Sequence, residues 1–338
     1  MDTRTVFSAF VFIFSSIACA QETLPPKIFC DTDMLTDCDD AGALAVLHAL
    51  ADRRECEILA TVCSVSDVDS AVTVAAINAW YGRPDLPLGV VRGKSVMMKS
   101  KFAGPVAKEF RERAKIAAEI PDAVAVYRDV LERQPDGSVV IVTLGYLTNL
   151  KNLLKQPATA DHISGRELVR KKVAKLVCLG GNFVGHPPRD DLKLGNVNFQ
   201  RDADSALHVI QQWPGRIDFV GREIGSVPSG LELGKSLAKA PHDNPVRRAY
   251  EHYFGGKVQN RHVADLTAIL YAVRGLGDYW DIEKRGSMDL QPDMTFTWNL
   301  DGERDHAYLK KKLRDGQPND DYIEGVLDEL LIQPPRQR

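Results

Sequence analysis

At 338 residues, with 44% apolar and 26% charged side chains, the chain can bury a large core as one big domain or two. A net charge of −3, with no basic block, argues against a nucleic-acid partner. The first twenty residues stand apart: Arg4 precedes an apolar run from Val6 to Ile17, and Ala18-Cys19-Ala20 follows. A basic start, a short apolar centre and an A-x-A ending describe a cleavable secretory signal over 1–20 and a secreted or periplasmic mature chain over 21–338. The run is too short for a stable membrane anchor. A lipoprotein acylated at Cys19 is a weaker alternative, because Ser16 sits where a larger aliphatic residue is usual.

Past that segment remain Cys30, Cys38, Cys56, Cys63 and Cys178, an odd set without C-x-x-C spacing. It argues against a disulfide framework and against a zinc site, and predicts free, mostly buried thiols.

The stretch Ile28 to Leu47 dominates the chain. Asp31, Asp33, Asp37, Asp39 and Asp40 fall within ten residues, between the apolar Ile28-Phe29-Cys30 and the alanine- and leucine-rich Ala41 to Leu50. This order predicts strand, acidic loop and helix, with Asp39 and Asp40 near the helix N-terminus, where carboxylates are favoured. So many like charges in one turn repel and raise some of their pKa values; a hard cation such as Ca²⁺ or Mg²⁺ relieves that. Two other readings fail on spacing. Leu35 occupies an oxygen-donor position of an EF-hand loop, and Thr36 comes one place late for a D-x-D-x-T phosphatase loop.

Further elements follow in alternation. Strands are predicted at Glu57–Val65, Leu88–Val91, Ser138–Leu144, Lys175–Leu179 and Ile217–Val220. Helices are predicted at Ser70–Tyr81, Ala123–Gln134, after Thr148-Asn149, and at Asp202–Trp213, with Phe183 to Asn198 as loop. Beyond Gly230 the pattern turns more helical, at Asn244–Phe254 and Ala264–Val273, and Lys310-Lys311-Lys312 reads as the solvated face of a late helix. Such alternation describes one large α/β domain with a mainly parallel, Rossmann-like sheet covered by helices on both faces. Ligands of such sheets bind at the carboxyl ends of the strands. The acidic loop, the Leu144–Asn149 turn and Gly180-Gly181-Asn182 all lie at such ends. Trp80, Trp213, Trp280 and Trp298 are expected in packing rather than as stacking platforms.

The run DTDMLTDCDDAGAL, followed in order by LGYLTNL, GGN, GNVNFQRDADSA and HVADLTAILYAV, resembles the inosine-uridine-preferring nucleoside hydrolase family, particularly its secreted bacterial branch. The resemblance covers roughly residues 27 to 279. It implies a Ca²⁺ cofactor and a small-molecule ribonucleoside substrate, whose N-glycosidic bond is cleaved to ribose and free base. By that resemblance Asp33 is both calcium ligand and general base acting on a calcium-bound water. Asp40 is a second ligand, Leu144 lends a backbone carbonyl, and Asp265 is the last carboxylate ligand and also touches the sugar. Asp39 bonds a ribose hydroxyl, Asp31 supports the loop, Asn198 binds ribose, and Asn182 faces the pocket. Family members are commonly dimers or tetramers, so a homo-oligomer is expected.

The chain departs from that pattern in three places. Ala264 stands where many members carry a His that protonates the departing base. His262, three residues before Asp265, is the substitute if the segment is helical, and His186 is a second candidate. Asn196 replaces a ribose-binding Glu and is expected to bind substrate in its place, hydrogen-bonding a hydroxyl without the charge. Cys63-Ser64 lacks an Asn often found there. Two other functions stay open: hydrolysis of a different riboside or glycoside, and calcium-dependent binding of a nucleoside or sugar without turnover.

Overall fold

The computed structural model describes residues 24–116, 119–183, 197–226 and 229–336. The expected signal segment, Cys19, His186 and Asn196 lie outside them. Among the described residues no helix is long and apolar enough to cross a membrane.

The chain opens with β1 (Lys27–Thr32), α1 (Asp39–Asp52), β2 (Glu57–Cys63), α2 (Val68–Trp80), β3 (Leu88–Gly89), α3 (Ala103–Ala114) and α4 (Ala123–Glu132). It continues through β4 (Val139–Thr143), α5 (Thr148–Leu154), α6 (Gly165–Lys172), β5 (Val173–Leu179), α7 (Val197–Arg201), α8 (Ala203–Gln212), β6 (Ile217–Val220) and α9 (Arg222–Gly225). The last third holds β7 (Glu232–Leu233), α10 (Pro245–Tyr253), β8 (Arg261–His262), α11 (Ala264–Arg274), β9 (Trp280–Glu283), β10 (Ser287–Leu290), β11 (Phe296–Asn299), β12 (His306–Lys311) and α12 (Asp320–Leu331).

Eight strands form the main sheet in the order β3-β2-β1-β4-β5-β6-β12-β9, and every pairing is parallel except β12 with β9. The inner strands are apolar almost throughout because both of their faces are covered. Successive residues serve opposite cores: Ile28 and Cys30 pack with α1, α2 and α11, whereas Phe29 packs with α4, α5 and α8. From β1 the chain winds outward through β2 and β3, then returns to β4 and proceeds the other way. The order therefore reverses between β1 and β4, and the crevice beyond their carboxyl ends is the switch point where such sheets bind ligands. The acidic loop leaves β1 there and Leu144 leaves β4. The Leu144 N–H to Asp31 carbonyl bond, 2.8 Å, carries the ladder to the rim.

Helix α1 is buried nearly all round, packed by α10, α11 and α12. At Gly42 a Cβ would come 2.7 Å from the Tyr250 hydroxyl, so the approach of α1 to α10 requires glycine. Caps at the other helices follow the sequence: Asp67 accepts the Ser70 N–H at 2.7 Å and Asn244 accepts that of Val246 at 2.8 Å. All five described cysteines are free and buried. None of the four tryptophans lines the main pocket, and Trp280 and Trp213 are buried in the core.

The C-terminal third differs from its reading. The lysine run is not on a helix: Lys310 and Lys311 end strand β12, and the late helix is α12. In β12, His306, Ala307 and Leu309 are buried, and the lysine heads turn back to Glu283, Asp320 and Asp278 at the rim. Two strands, β12 and β9, thus extend the main sheet where helix was expected. Helix α3, also unforeseen, packs on α2 and α10. Asn198 lies in the short helix α7 rather than in loop.

Candidate active site

Two helix N-termini meet at the switch point. Asp39 and Asp40 sit in the first turn of α1, and Asp265 in the first turn of α11. The positive ends of both helix dipoles favour negative groups there. One oxygen from each of these three carboxylates lies within 4.8 Å of the others, and all three residues are buried. Asp33 joins them from the loop, which turns sharply at Met34, a non-glycine residue with φ of 38°. Gly145 makes room for it, since a Cβ there would come 2.6 Å from the Asp33 carboxyl group.

Burial raises the pKa of every member of this set, and mutual repulsion adds to it. Asp33 is pushed up to about 7 by burial and then by the charge of Asp39. Asp40 and Asp265 are raised well above the ordinary carboxylate range by burial and then by their acidic neighbours. Asp39 Oδ2 has no well-formed hydrogen bond. Convergent, buried, mutually repelling oxygens suit a hard divalent cation, and the donor set contains neither sulfur nor a zinc-like histidine cluster.

The groups behind these carboxylates hold them in place. Thr32 donates its hydroxyl proton to Asp40, fixing that carboxylate. Asp31 is buried beneath the loop, where it accepts from Tyr127 at 2.9 Å and from Asn149 at 3.0 Å. Asn149 also reaches the Cys63 carbonyl at 3.0 Å, tying the ends of β1, β2 and α5. Asn198 donates to the Leu144 carbonyl at 2.9 Å and to the Leu179 carbonyl at 3.2 Å. A carbonyl oxygen has a second lone pair, so this bond leaves Leu144 able to serve as a ligand.

His262 lies between two carboxylates, with Nε2 3.1 Å from Asp37 and Nδ1 3.1 Å from Asp39. Burial alone would lower its pKa, but Asp39 and Asp37 raise it to about 10. It reaches the pocket from strand β8, since α11 starts only at Ala264; the helical route expected for it is not the one used. Arg261 grips Asp37 through its Nε–H and one terminal amino group, Nη2, and Asp37 is held down to about 2 by His262 and Arg261 against the effect of burial.

The cavity that collects these groups has a volume of about 310 Å³. Asp33, Asp39, Asp40, Leu144, Asn198, His262 and Asp265 all line it, as does Ala264. Asn182 does not: it sits at the end of β5 with a buried, unpartnered carbonyl oxygen, outside the lining. Beside it, Phe183 stacks on Tyr308 at 4.4 Å. Sequence reading missed Arg201, Arg222, Arg261 and Tyr253 as lining residues and gave Asp37 no task. No local signal marks them; the Arg261–Asp37 pair joins residues 224 positions apart.

The inosine-uridine preferring nucleoside hydrolase model matches residues 28–312. No curated protein matches the chain. Among solved structures it is similar to an inosine-uridine preferring nucleoside hydrolase from Bacillus anthracis, at 15% identity and TM-score 0.66, covering 90% of this chain and 99% of that one. It is also similar to a plant nucleoside hydrolase, at 17% identity and TM-score 0.67, over 92% and 100% of the two chains. The type III effector protein XopQ, solved with adenosine diphosphate ribose, is similar at 17% identity and TM-score 0.60, over 93% and 95%. Since the family model spans most of its length, this chain belongs to the inosine-uridine preferring nucleoside hydrolase family.

Proposed function

We propose that the protein is a calcium-dependent hydrolase that cleaves the N-glycosidic bond of a ribonucleoside, releasing ribose and free base. The observation that carries this reading is the convergence of Asp33, Asp39, Asp40 and Asp265 with Leu144 in one pocket at the switch point. Asp33, Asp40 and Asp265, with the Leu144 carbonyl, would hold Ca²⁺. When bound, the ion supplies fixed positive charge that offsets the carboxylates and makes a neighbouring water more acidic.

Asp33, a carboxylate beside the ion, takes a proton from the attacking water. The water oxygen bonds to C1′ as the C1′–N bond breaks, and that electron pair leaves with the base. Positive charge then builds on the sugar, where Asp39 and Asp265 lower its energy. Asp39 and Asn198 hold ribose hydroxyls. Ala264 offers no proton, and the imidazole nitrogens of His262 face Asp37 and Asp39. We therefore assign no side-chain acid to the leaving group, and expect the best substrates to carry bases that depart without one.

That same lack favours a second reading, metal-dependent riboside binding without turnover. Ribose release from a panel of purine and pyrimidine nucleosides, with calcium and with chelator, separates the two. Calcium-dependent release supports the hydrolase. Absence of release, together with a nucleoside-induced rise in Tm, supports the binding protein.

A further inference from the structure

We infer that the pocket takes a riboside carrying a phosphate group, which Arg201 and Arg222 hold at its rim. This rests on the hydrolase reading and adds a substrate class to it. Three arginines line the cavity from three elements: Arg201 from α7, Arg222 from α9 and Arg261 from β8. Arg261 is committed to Asp37. Among the described residues Arg201 forms no ion pair. It is exposed, donates to Thr36 Oγ1 at 3.5 Å, and stands close enough to the Tyr146 hydroxyl and to Asp33 to act on both. Arg222 is buried at the start of α9, at the end of β6. The two thus enter from the β5 and β6 side of the switch point, whereas the acidic loop enters from β1.

The charge of the lining makes the same point. Asp33, Asp37, Asp39, Asp40 and Asp265 face those three guanidiniums and His262. A divalent cation brings the set to neutrality even with His262 uncharged, and to a net positive charge once His262 is protonated. A neutral nucleoside presents no anion to an arginine that, among the described residues, has only hydroxyls as hydrogen-bond partners. A phosphate ester does, because the planar guanidinium fork matches phosphate oxygens and forms charge-assisted hydrogen bonds to them.

The test uses the full calcium-loaded protein and two readouts. Calorimetric titration compares ribose 5-phosphate, ribose and inorganic phosphate on the wild type and on Arg201→Ala and Arg201→Lys. The expected result is ribose 5-phosphate binding about tenfold or more tighter than ribose, an advantage mostly lost in the alanine variant and partly kept by lysine. In turnover, the ratio of kcat/KM for a nucleoside 5′-monophosphate to that for its nucleoside should fall about tenfold in Arg201→Ala. Equal binding of ribose and ribose 5-phosphate overturns the inference. So does a preference that survives Arg201→Ala, or inorganic phosphate binding as tightly as the ester. Release of base from nucleosides but not from monophosphates sinks the inference and leaves the hydrolase standing. Arg201-dependent binding of ribose 5-phosphate, with no release from either substrate, upholds the inference and sinks the hydrolase.

Discussion

The same sheet buries carboxylates in two ways. Asp218, in β6, is fully enclosed, but Arg216 reaches it at 2.7 Å, the Tyr271 hydroxyl at 2.7 Å and Lys175 at 3.7 Å. The pocket set of Asp33, Asp39, Asp40 and Asp265 is enclosed as well, yet apart from His262 beside Asp39 its charged companions are largely one another. One region satisfies a buried charge with the chain's own cations, which makes it structural. The other leaves most of the countercharge to come from outside, which makes it a site. Burial alone does not distinguish them; the partners do.

The largest test of this contrast is on activity. Asp33→Ala should lower kcat by about 10³-fold, the usual worth of a positioned base, measured as ribose release at saturating calcium and nucleoside. Retained activity would remove Asp33 from the chemistry. Asp218→Asn should leave turnover intact, but it strands Arg216 and Lys175 around a neutral amide. A loss of about 3 kcal/mol in unfolding free energy is expected, read from the denaturant midpoint.

Asp40→Asn should have the opposite sign in stability. It removes one charge from a repelling set while the amide oxygen still accepts from Thr32, so the chelated protein should gain about 2 °C or more in Tm. The same substitution should abolish the calcium-induced rise in Tm. A variant less stable than wild type in chelator would mean that the cluster is held by contacts rather than by an ion.

How far this contrast could be read from sequence follows from where the partners come from. The pocket carboxylates were visible because four of them lie in one ten-residue run beside an apolar strand, and Asp265 came with the family resemblance. Strands β1 to β6 announced themselves by continuous β-branched and apolar runs. Asp218 was invisible, since a lone aspartate in I-D-F-V shows nothing of Lys175 or Tyr271. Arg201 and Arg261 were missed for the same reason, their meeting with the pocket being set by tertiary packing. The late strands were lost because β12 carries its lysines at one end, where the heads reach solvent and acidic partners, and a short half-exposed strand shows little period.

Glu223 offers the finest test, because it is neither kind of carboxylate. It is buried at the start of α9 and folded back onto Gly221, where a Cβ would collide with both of its oxygens. Neither oxygen has a hydrogen bond of good geometry. Burial pushes its pKa from 4.5 up to about 7, while the backbone N–H groups of Glu223 and Phe183 and the charge of Arg222 pull weakly the other way. Tyr308 is the neighbouring titratable group on β12. A carboxyl whose burial outweighs the nearby charge of Arg222 should therefore fold as the neutral acid. Since its folded pKa is the raised one, the stability it contributes is complete below about pH 4.5 and disappears as pH rises through 7. The slope is about 1.4 kcal/mol per pH unit within that window. Glu223→Gln is neutral throughout and should lack this component. With calcium saturating, so that the acidic cluster stays occupied, the Tm of the wild type should fall relative to the variant between pH 5 and pH 8. Parallel curves would mean that Glu223 is ionised in the fold, paired as Asp218 is.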